Sequence, residues 1–182
     1  KNKEINIVSS KNANKDIIMN RHIIDSAQII DFVDFNHNTT CDLGTGGGFP
    51  GIVTAIVAKN MKKDTKIKLF EKSNHKSSFL VEVSRKLNLN TEVIQEDIFK
   101  TPELKSGTIM ARAFKPLPVV LDLVHEKFLT YKNLIIFMGK TGKKILEETL
   151  INWELEFEEK KSISSEDSFL LNIKKIKKKN SI

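Results

Sequence analysis

The sequence predicts an α/β fold in which a mainly parallel sheet is covered by helices on both faces. Three observations carry that prediction. Strand-like and helix-like patterns alternate through most of the 182 residues, the order that strand–helix–strand crossovers require. The run NLIIFM, residues 133–138, is apolar from Leu134 to Met138, which suits a strand in the middle of a sheet buried on both sides. The stretch CDLGTGGGFPG, residues 41–51, joins a short apolar run to a helical one and holds five of the chain's eight glycines, so it brings backbone close to something.

Residues 13–35 read as a helix, with Ile17, Ile23, Ala27 and Ile30 near helical spacing. Thr39–Leu43 is a short strand that runs into the glycine loop. A helix follows from Pro50 to about Met61, because proline suits a first helical turn. KIKLFE, Lys66 to Glu71, alternates polar and apolar residues as a strand does. Asn74 is placed to cap the next helix, whose buried stripe is Phe79, Leu80, Val83 and Leu87. Thr91–Gln95 is a third strand and residues 106–112 a fourth. KPLPVV then interrupts the chain before a helix over Val119–Leu129. After the apolar strand, Gly139 and Gly142 frame a turn into a short helix ending near Leu150. WELEFEEKKSI and SFLLNIKKI are close enough in sequence to pair antiparallel. With no repeat and no linker, the chain reads as one domain: an N-terminal helical segment (1–35), a Rossmann-like core (36–174) and a basic tail (175–182).

Composition narrows the partners. The formal net charge of +7 points towards a polyanion. Only Arg21, Arg85 and Arg112 are arginine among thirty basic residues, so these three are candidates for places that need a planar, two-pronged donor; Arg85 reads as a solvated face. The single cysteine, Cys41, excludes an internal disulfide and a multi-cysteine zinc site, and it reads as core; no metal is expected. No apolar run is long enough to cross a bilayer and no charged-then-apolar leader precedes the fold. A cytoplasmic monomer without membrane partners is therefore expected, from a chain whose first residue, Lys1, implies a lost N-terminal piece.

The glycine loop has three possible occupants. A nucleoside-triphosphate loop needs a Gly-Lys-Ser or Gly-Lys-Thr ending, and Phe49-Pro50-Gly51 stands there instead. A dinucleotide is harder to dismiss, since Gly46, Gly48 and Gly51 satisfy G-x-G-x-x-G and Glu71 follows about twenty residues later. Three details favour S-adenosylmethionine. Asp42 precedes Gly44 in an acidic-x-Gly-x-Gly-x-Gly order, and a carboxylate there suits a cationic amino-acid end and repels a pyrophosphate. Pro50 removes one N–H from the helix start that a phosphate would use. The chain is also too short for a dinucleotide fold plus a separate substrate domain. In either case Glu71 ends the second strand as an acceptor for two ribose hydroxyls.

A wider match goes with the loop. RHIIDS (21–26), DLGTGGGFPGI (42–52) and ARAF (111–114) occur in that order. NKEINIVSS lies near the start, and EKSNHKSSFLVEVSRKLNL spans the second strand end and its helix. From about residue 2 to the last strand this resembles the RsmG (GidB) family, bacterial 16S rRNA guanine-N7 methyltransferases. The resemblance implies a class I S-adenosylmethionine-dependent methyltransferase fold with seven strands. It implies a guanine in the 530 loop of 16S rRNA as target, hence the small ribosomal subunit as partner. Gly44 and Phe49 match cofactor-contacting loop positions of the family, and Arg112 matches its contact at the fourth strand. The family's contact after the third strand falls at Ile98 and Phe99, where QEDIFK departs from the usual Ala or Val then Glu; Asp97 is assigned to the adenine amino group, with Ile98 and Phe99 against the ring. The expected cofactor shell is thus Asp42, Gly44, Thr45, Gly46, Gly48, Phe49, Glu71, Lys72, Asp97, Ile98, Phe99 and Arg112. A second departure is Met138, where relatives often carry lysine; Lys140 lies two residues on and is expected to serve RNA in its place.

The residues agree with transfer to N7. An exocyclic amine usually goes with an Asn/Asp-Pro-Pro-aromatic segment after the fourth strand, where Arg112-Ala113-Phe114 stands. Cytosine carbon five needs a cysteine there, and Cys41 is elsewhere; a ribose hydroxyl needs a base, and the strand ends without an acid. Guanine N7 is an acceptor with a free lone pair, so no proton has to leave. Catalysis is then expected to need no acid or base, only positioning by Arg112, Arg21 and Asp25. Arg21 and Asp25 are four apart, as are His22 and Ser26, and they read either as a surface pair or as a polar cluster facing the site. Phe114 reads as a base-stacking or a core residue. Lys175, Lys177 and Lys178, with the neighbouring tail lysines, read equally as a phosphate track or a solvated end. Alternatives are a methyltransferase for another RNA or a small molecule, and a non-catalytic RNA-binding assembly factor.

Overall fold

The computed structural model describes residues 18–179. Seven strands form one sheet: β1 (Thr39–Leu43), β2 (Lys66–Phe70), β3 (Thr91–Ile94), β5 (Thr108–Arg112), β7 (Asn133–Met138), β8 (Trp153–Lys161) and β9 (Phe169–Lys178). Their order is β3-β2-β1-β5-β7-β9-β8; β9 alone runs antiparallel to both its neighbours, and the pairs among the first five are parallel. Leu43 is in register with Phe70 on one side and Ala111 on the other, so three strand ends meet at one edge. The chain leaves β1 towards β2 and returns on its other side as β5, and open parallel sheets bind ligands at such a reversal.

Alternation along the strands splits the core in two. Cys41, Leu43, Ile109, Leu134 and Ile136 pack with α3 (Leu117–Lys127) and α4 (Gly142–Asn152) on one face. Met110, Ile135, Ile67 and Leu69 pack with α1 (Gly51–Asn60), α2 (Asn74–Lys86) and Ile29 on the other. The run at 133–138 forms β7 over its whole length because both faces bury it, and Cys41 is fully buried in the core. Arg85 is exposed, as read from sequence. No described helix is long and apolar enough to cross a membrane.

Several expectations need correction. The helix expected over 13–35 is, within the described residues, a π turn (Met19–Ile24), one α turn (Asp25–Ala27) and a 3-10 turn (Ile30–Phe32), with Val33 already extended. Of its expected apolar stripe, Ile17 lies outside the described residues, Ile23 and Ala27 are exposed and Ile30 packs half-buried on the core, whereas Asp25, Ser26 and Gln28 are buried. The Asp25 N–H reaches the Asn20 carbonyl, an i→i−5 bond that widens the turn and presents the polar side inwards. In α2 the N-cap is Ser73, not Asn74, whose amide instead donates to Gln95; Leu87 is exposed, and Leu80 carries the burial with Ser77 and Ser84. Residues 104–105 (β4) and 128–130 (β6) form a separate parallel pair, which shortens the expected fourth strand and ends α3 at Lys127. The basic tail is in large part strand: β9 continues to Lys178, beyond the expected core boundary at 174, because Lys178 and Lys177 are in register with Trp153 and Glu154.

Candidate functional site

The glycine loop turns under the control of its own backbone. Gly44, Gly46 and Gly48 all adopt positive φ (65°, 58° and 93°), which side chains disfavour. A Cβ on Gly44 would overlap the ring of Phe114, and one on Gly48 would meet Ile52 and Leu80; one on Gly46 would make only an ordinary contact with the Gly44 carbonyl (3.8 Å) and otherwise face the cavity, where a ligand can approach. The loop is pinned by Thr45 N–H to the Phe70 carbonyl (3.0 Å) and Gly48 N–H to the Thr45 carbonyl (2.9 Å).

Beside the loop lies a cavity of about 570 Å³ at the carboxyl ends of β1, β2 and β5. Gly44, Thr45, Gly46 and Phe49 form one wall, Glu71 and Lys72 a second, Asp97, Ile98 and Phe99 a third, and Arg112 closes it. These ten expected residues are therefore brought together. Gly48 and Asp42 are not in the lining. Gly48 packs on Ile52 and Leu80. Asp42 is fully buried behind the loop, where its Oδ2 accepts from the Thr45 hydroxyl (2.6 Å) and the Gly51 N–H (2.8 Å). Its task is to fix the loop, not to wall the cavity.

The remaining polar contacts are specific. Glu71 Oε2 accepts from Gly46 N–H (3.1 Å) and Oε1 from Ser73 N–H (2.8 Å). A carboxylate has about four acceptor positions, so Glu71 keeps two for a diol. Asp97 Oδ1 accepts from Phe99 N–H (3.2 Å), which caps a short 3-10 turn and leaves its second oxygen outside that bond. Phe99 stacks on Phe114 (ring centroids 6.1 Å apart); Phe114 thus props the loop at Gly44 and backs the adenine-side wall.

Arg112 ends β5 and is held on three sides. Its Nη2 pairs with Asp25 Oδ2 at 3.0 Å, its Nη1 lies 3.5 Å from His22 Nδ1, and its guanidinium stands 5.5 Å over the ring of Phe137. A guanidinium has only donors, so a hydrogen bond there takes His22 Nδ1 as its acceptor. His22 also stacks on Phe49, at 5.2 Å. Asp25 is thereby placed at the site; Arg21 shares the π turn, but its side chain lies outside the described residues. Burial pulls the Arg112 pKa down, against the opposing pull of Asp25 and Asp42.

Residues missed from sequence include Lys76, Glu96, Ala113 and Lys115 in the cavity wall. Position after a strand end was the one signal for them. Lys72, Lys76 and Lys115 have no ion-pair partner among the described residues and form a basic rim. The lysines expected to bind RNA divide. Lys140 is exposed just after β7, at the edge of the sheet where the parallel strands end, but is not in the cavity lining. Lys175, Lys177 and Lys178 lie at the opposite edge, because antiparallel β9 ends where its neighbours begin. There Lys177 pairs with Glu154 (3.5 Å), Lys178 with Asp122 (2.6 Å), and Lys175 is in register with Glu156.

Burial raises Asp42 to a pKa of about 6, against hydrogen bonds from Thr45 and Gly51 and the charge of Arg112. A folded-state pKa above the unfolded one means that the native state holds the proton more tightly. This carboxyl therefore costs stability progressively as pH rises from about 4 to 6, by about 3 kcal/mol in full. Asp42→Asn is expected to shift the stability difference from the parent by about that amount in its own favour between pH 4 and pH 7. Urea denaturation across that range checks it, and a pH-independent difference would count against the assignment. Burial likewise pushes the Cys41 thiol up to about 11, which removes it as a nucleophile.

Comparison with known proteins agrees with this geometry. The family model described as GidB, rRNA small subunit methyltransferase G, matches residues 1–173. Ribosomal RNA small subunit methyltransferase G of Pelagibacter ubique is 65% identical over 179 residues, covering 98% of this chain and 84% of that relative. The protein of the same name from Ruegeria sp. is 32% identical, covering 97% and 85%. Among solved structures, a SAM dependent methyltransferase from Aquifex aeolicus has the same fold, with a TM-score of 0.64 at 16% identity over 95% of this chain and 97% of that one.

Proposed function

The chain belongs to the rRNA small subunit methyltransferase G family, and from that membership and the cavity's geometry we propose that it methylates N7 of a guanine in the 530 loop of 16S rRNA, with S-adenosylmethionine as donor. The observation that carries the choice of atom is the wall at Arg112. The groups there are a guanidinium, the methyl of Ala113, the ring of His22, whose Nδ1 is turned to Arg112 at 3.5 Å, and the carboxylate of Asp25, which already accepts from Arg112, Ser164 and Gln28. None is disposed to take a proton, and N7 has none to give.

The residues present fit the donor. Gly46 faces the cavity, Glu71 retains acceptor capacity for a ribose diol, and Ile98 and Phe99 offer an apolar wall to a purine. When bound, S-adenosylmethionine supplies an electrophilic methyl, and the positive charge passes from sulfur to the purine with no proton transfer. Arg112 orients, through the fork that Asp25 and His22 fix. Phe49, Phe99 and Phe114 give the cavity its aromatic lining.

The test is to treat small subunits lacking the modification with the protein and labelled donor, then map the label. A single 7-methylguanine in the 530 loop is expected. Label in another base or another RNA, or binding without label, would replace the reading with one of its alternatives.

The rim lysines carry a second prediction. Each phosphate neutralised contributes roughly 0.7–0.9 to the slope of log affinity against log salt. Replacing Lys72, Lys76 and Lys115 together by Gln should lower the slope by about 2 in filter binding to small-subunit RNA. Replacing Lys177 and Lys178, which are paired with acids on the far edge, should leave it unchanged. The opposite pattern would return the RNA track to β9.

A further inference from the structure

A second cavity of about 660 Å³ adjoins the first, and the two share only Arg112 and Ala113. Resting on the guanine-N7 reading above, we propose that this second cavity is the subsite for the acceptor base, and that the β8–β9 loop reads that base as guanine through the carboxylates of Glu166 and Asp167.

The shared wall comes first. A methyl group crosses between two bound molecules only where their compartments meet, and here that is one residue pair. Ala113 holds a positive φ of 49°, a conformation rare for a residue with a Cβ. Its small side chain leaves the wall thin. Arg112 has its donors at the same wall, locked by Asp25.

The opposite side of the cavity is built from the loop. Ser164 donates to Asp25 Oδ1 (2.6 Å), and the Ile163 N–H donates to Gln28 Oε1 (3.0 Å), so the polar N-terminal segment fastens the loop and Arg112 through one carboxylate. Asp25 is thus a positioning residue for both walls. Ser162 N–H to the Ser168 carbonyl (3.0 Å) and Ser168 N–H to the Ser165 carbonyl (3.2 Å) close the loop's neck. Glu166 and Asp167 stand at its tip, exposed and lining the cavity, with Phe137 and Met138 as the apolar floor.

Two carboxylates at the substrate edge of a protein of net charge +7 are opposed to binding phosphate. They are suited to accepting from a base. Guanine offers N1–H and the N2 amino group side by side on its Watson–Crick edge, a pair of donors matched to carboxylate oxygens, and enzymes that modify bases read that edge after extrusion from the stack. With that edge towards the loop, the O6/N7 edge faces the shared wall. Arg112 can donate to O6 and leave the N7 lone pair free. Adenine would set an amino group against Arg112 and an acceptor against the carboxylates, so donor meets donor and acceptor meets acceptor, and a site built to accept hydrogen bonds rejects a base that cannot donate them.

The test uses the full chain with unmodified small subunits. Glu166→Gln together with Asp167→Asn changes exposed positions, so melting temperature and donor affinity should match the parent. KM for subunits should rise about tenfold to a hundredfold. Inhibition by guanosine monophosphate should weaken to the level of adenosine monophosphate, a preference that a merely structural loop would not govern. Unchanged KM and unchanged nucleotide preference, with the parent still labelling guanine N7, would overturn the subsite and leave the proposed reaction standing. A parent that labels no guanine would overturn both.

Discussion

Arg112→Lys is expected to reduce kcat/KM for methylation roughly 30- to 150-fold, the loss of about 2–3 kcal/mol of charge-assisted hydrogen bonding. The reason is shape rather than charge. Arg112 reaches Asp25 and His22 with different nitrogens and lies over the face of Phe137, and an ammonium cannot make two such contacts in one plane. Thermal stability should change little, since lysine keeps a cation for Asp25. Near-parental turnover would remove Arg112 from the positioning machinery. Asp25→Asn provides the complementary measurement. Without the charge of Asp25, Arg112 is a less compensated cation beside the cavity, which penalises a sulfonium but not a thioether. Affinity for S-adenosylmethionine should therefore fall roughly fivefold more than affinity for S-adenosylhomocysteine. Calorimetry with both ligands would show it, and equal losses would reduce Asp25 to a scaffold.

Gly44→Ala should be more damaging still, because it injures fold and site together. At φ 65° a Cβ costs about 1–2 kcal/mol of backbone strain. It also enters the ring of Phe114, a collision with a side chain that forces Phe114 off Phe99, at a typical overpacking cost of about 1–3 kcal/mol. A melting temperature lower by roughly 10 °C is expected. Donor affinity should fall by more than about a hundredfold, as one repositioned aromatic misplaces both the loop and the adenine-side wall. Gly46→Ala is the control: it shares the positive φ but faces the cavity. It should cost less stability yet still impair binding. If Gly44→Ala melts and binds like the parent, the loop is not held by Phe114.

What sequence made legible was local. β7 was readable because burial on both faces leaves an unbroken apolar run, and the loop because Gly44, Gly46 and Gly48 each need a backbone that only glycine adopts cheaply. The N-terminal segment was misread for a related reason. Its buried side is Asp25, Ser26 and Gln28, and the partners that justify burying them, Arg112, Ile163 and Ser164, lie far away in sequence. A periodicity argument counts such residues as solvent-facing. The β9 lysines stay undecided in sequence for the same reason, since Glu154 and Asp122 are adjacent only once the sheet exists. Asp42 was found as a site residue from its spacing, but which side of the loop its carboxylate takes is decided by Thr45 and Gly51. β4 and β6, two and three residues long, are below the length at which a period can be detected.

The insertion of β9 between β7 and β8 has a consequence for how the molecule is made. β7 emerges during synthesis some thirty residues before its neighbour at Phe169–Lys178, and chains are elongated at roughly 5–20 residues per second. For that interval, on the order of seconds, the most apolar strand has one hydrogen-bonding edge open, and β8 has nothing to pair with. Both are satisfied by a single docking event when β9 arrives, because it bonds Leu134–Met138 on one side and Trp153–Lys161 on the other. Nascent chains halted between β8 and β9 are therefore the aggregation-prone species.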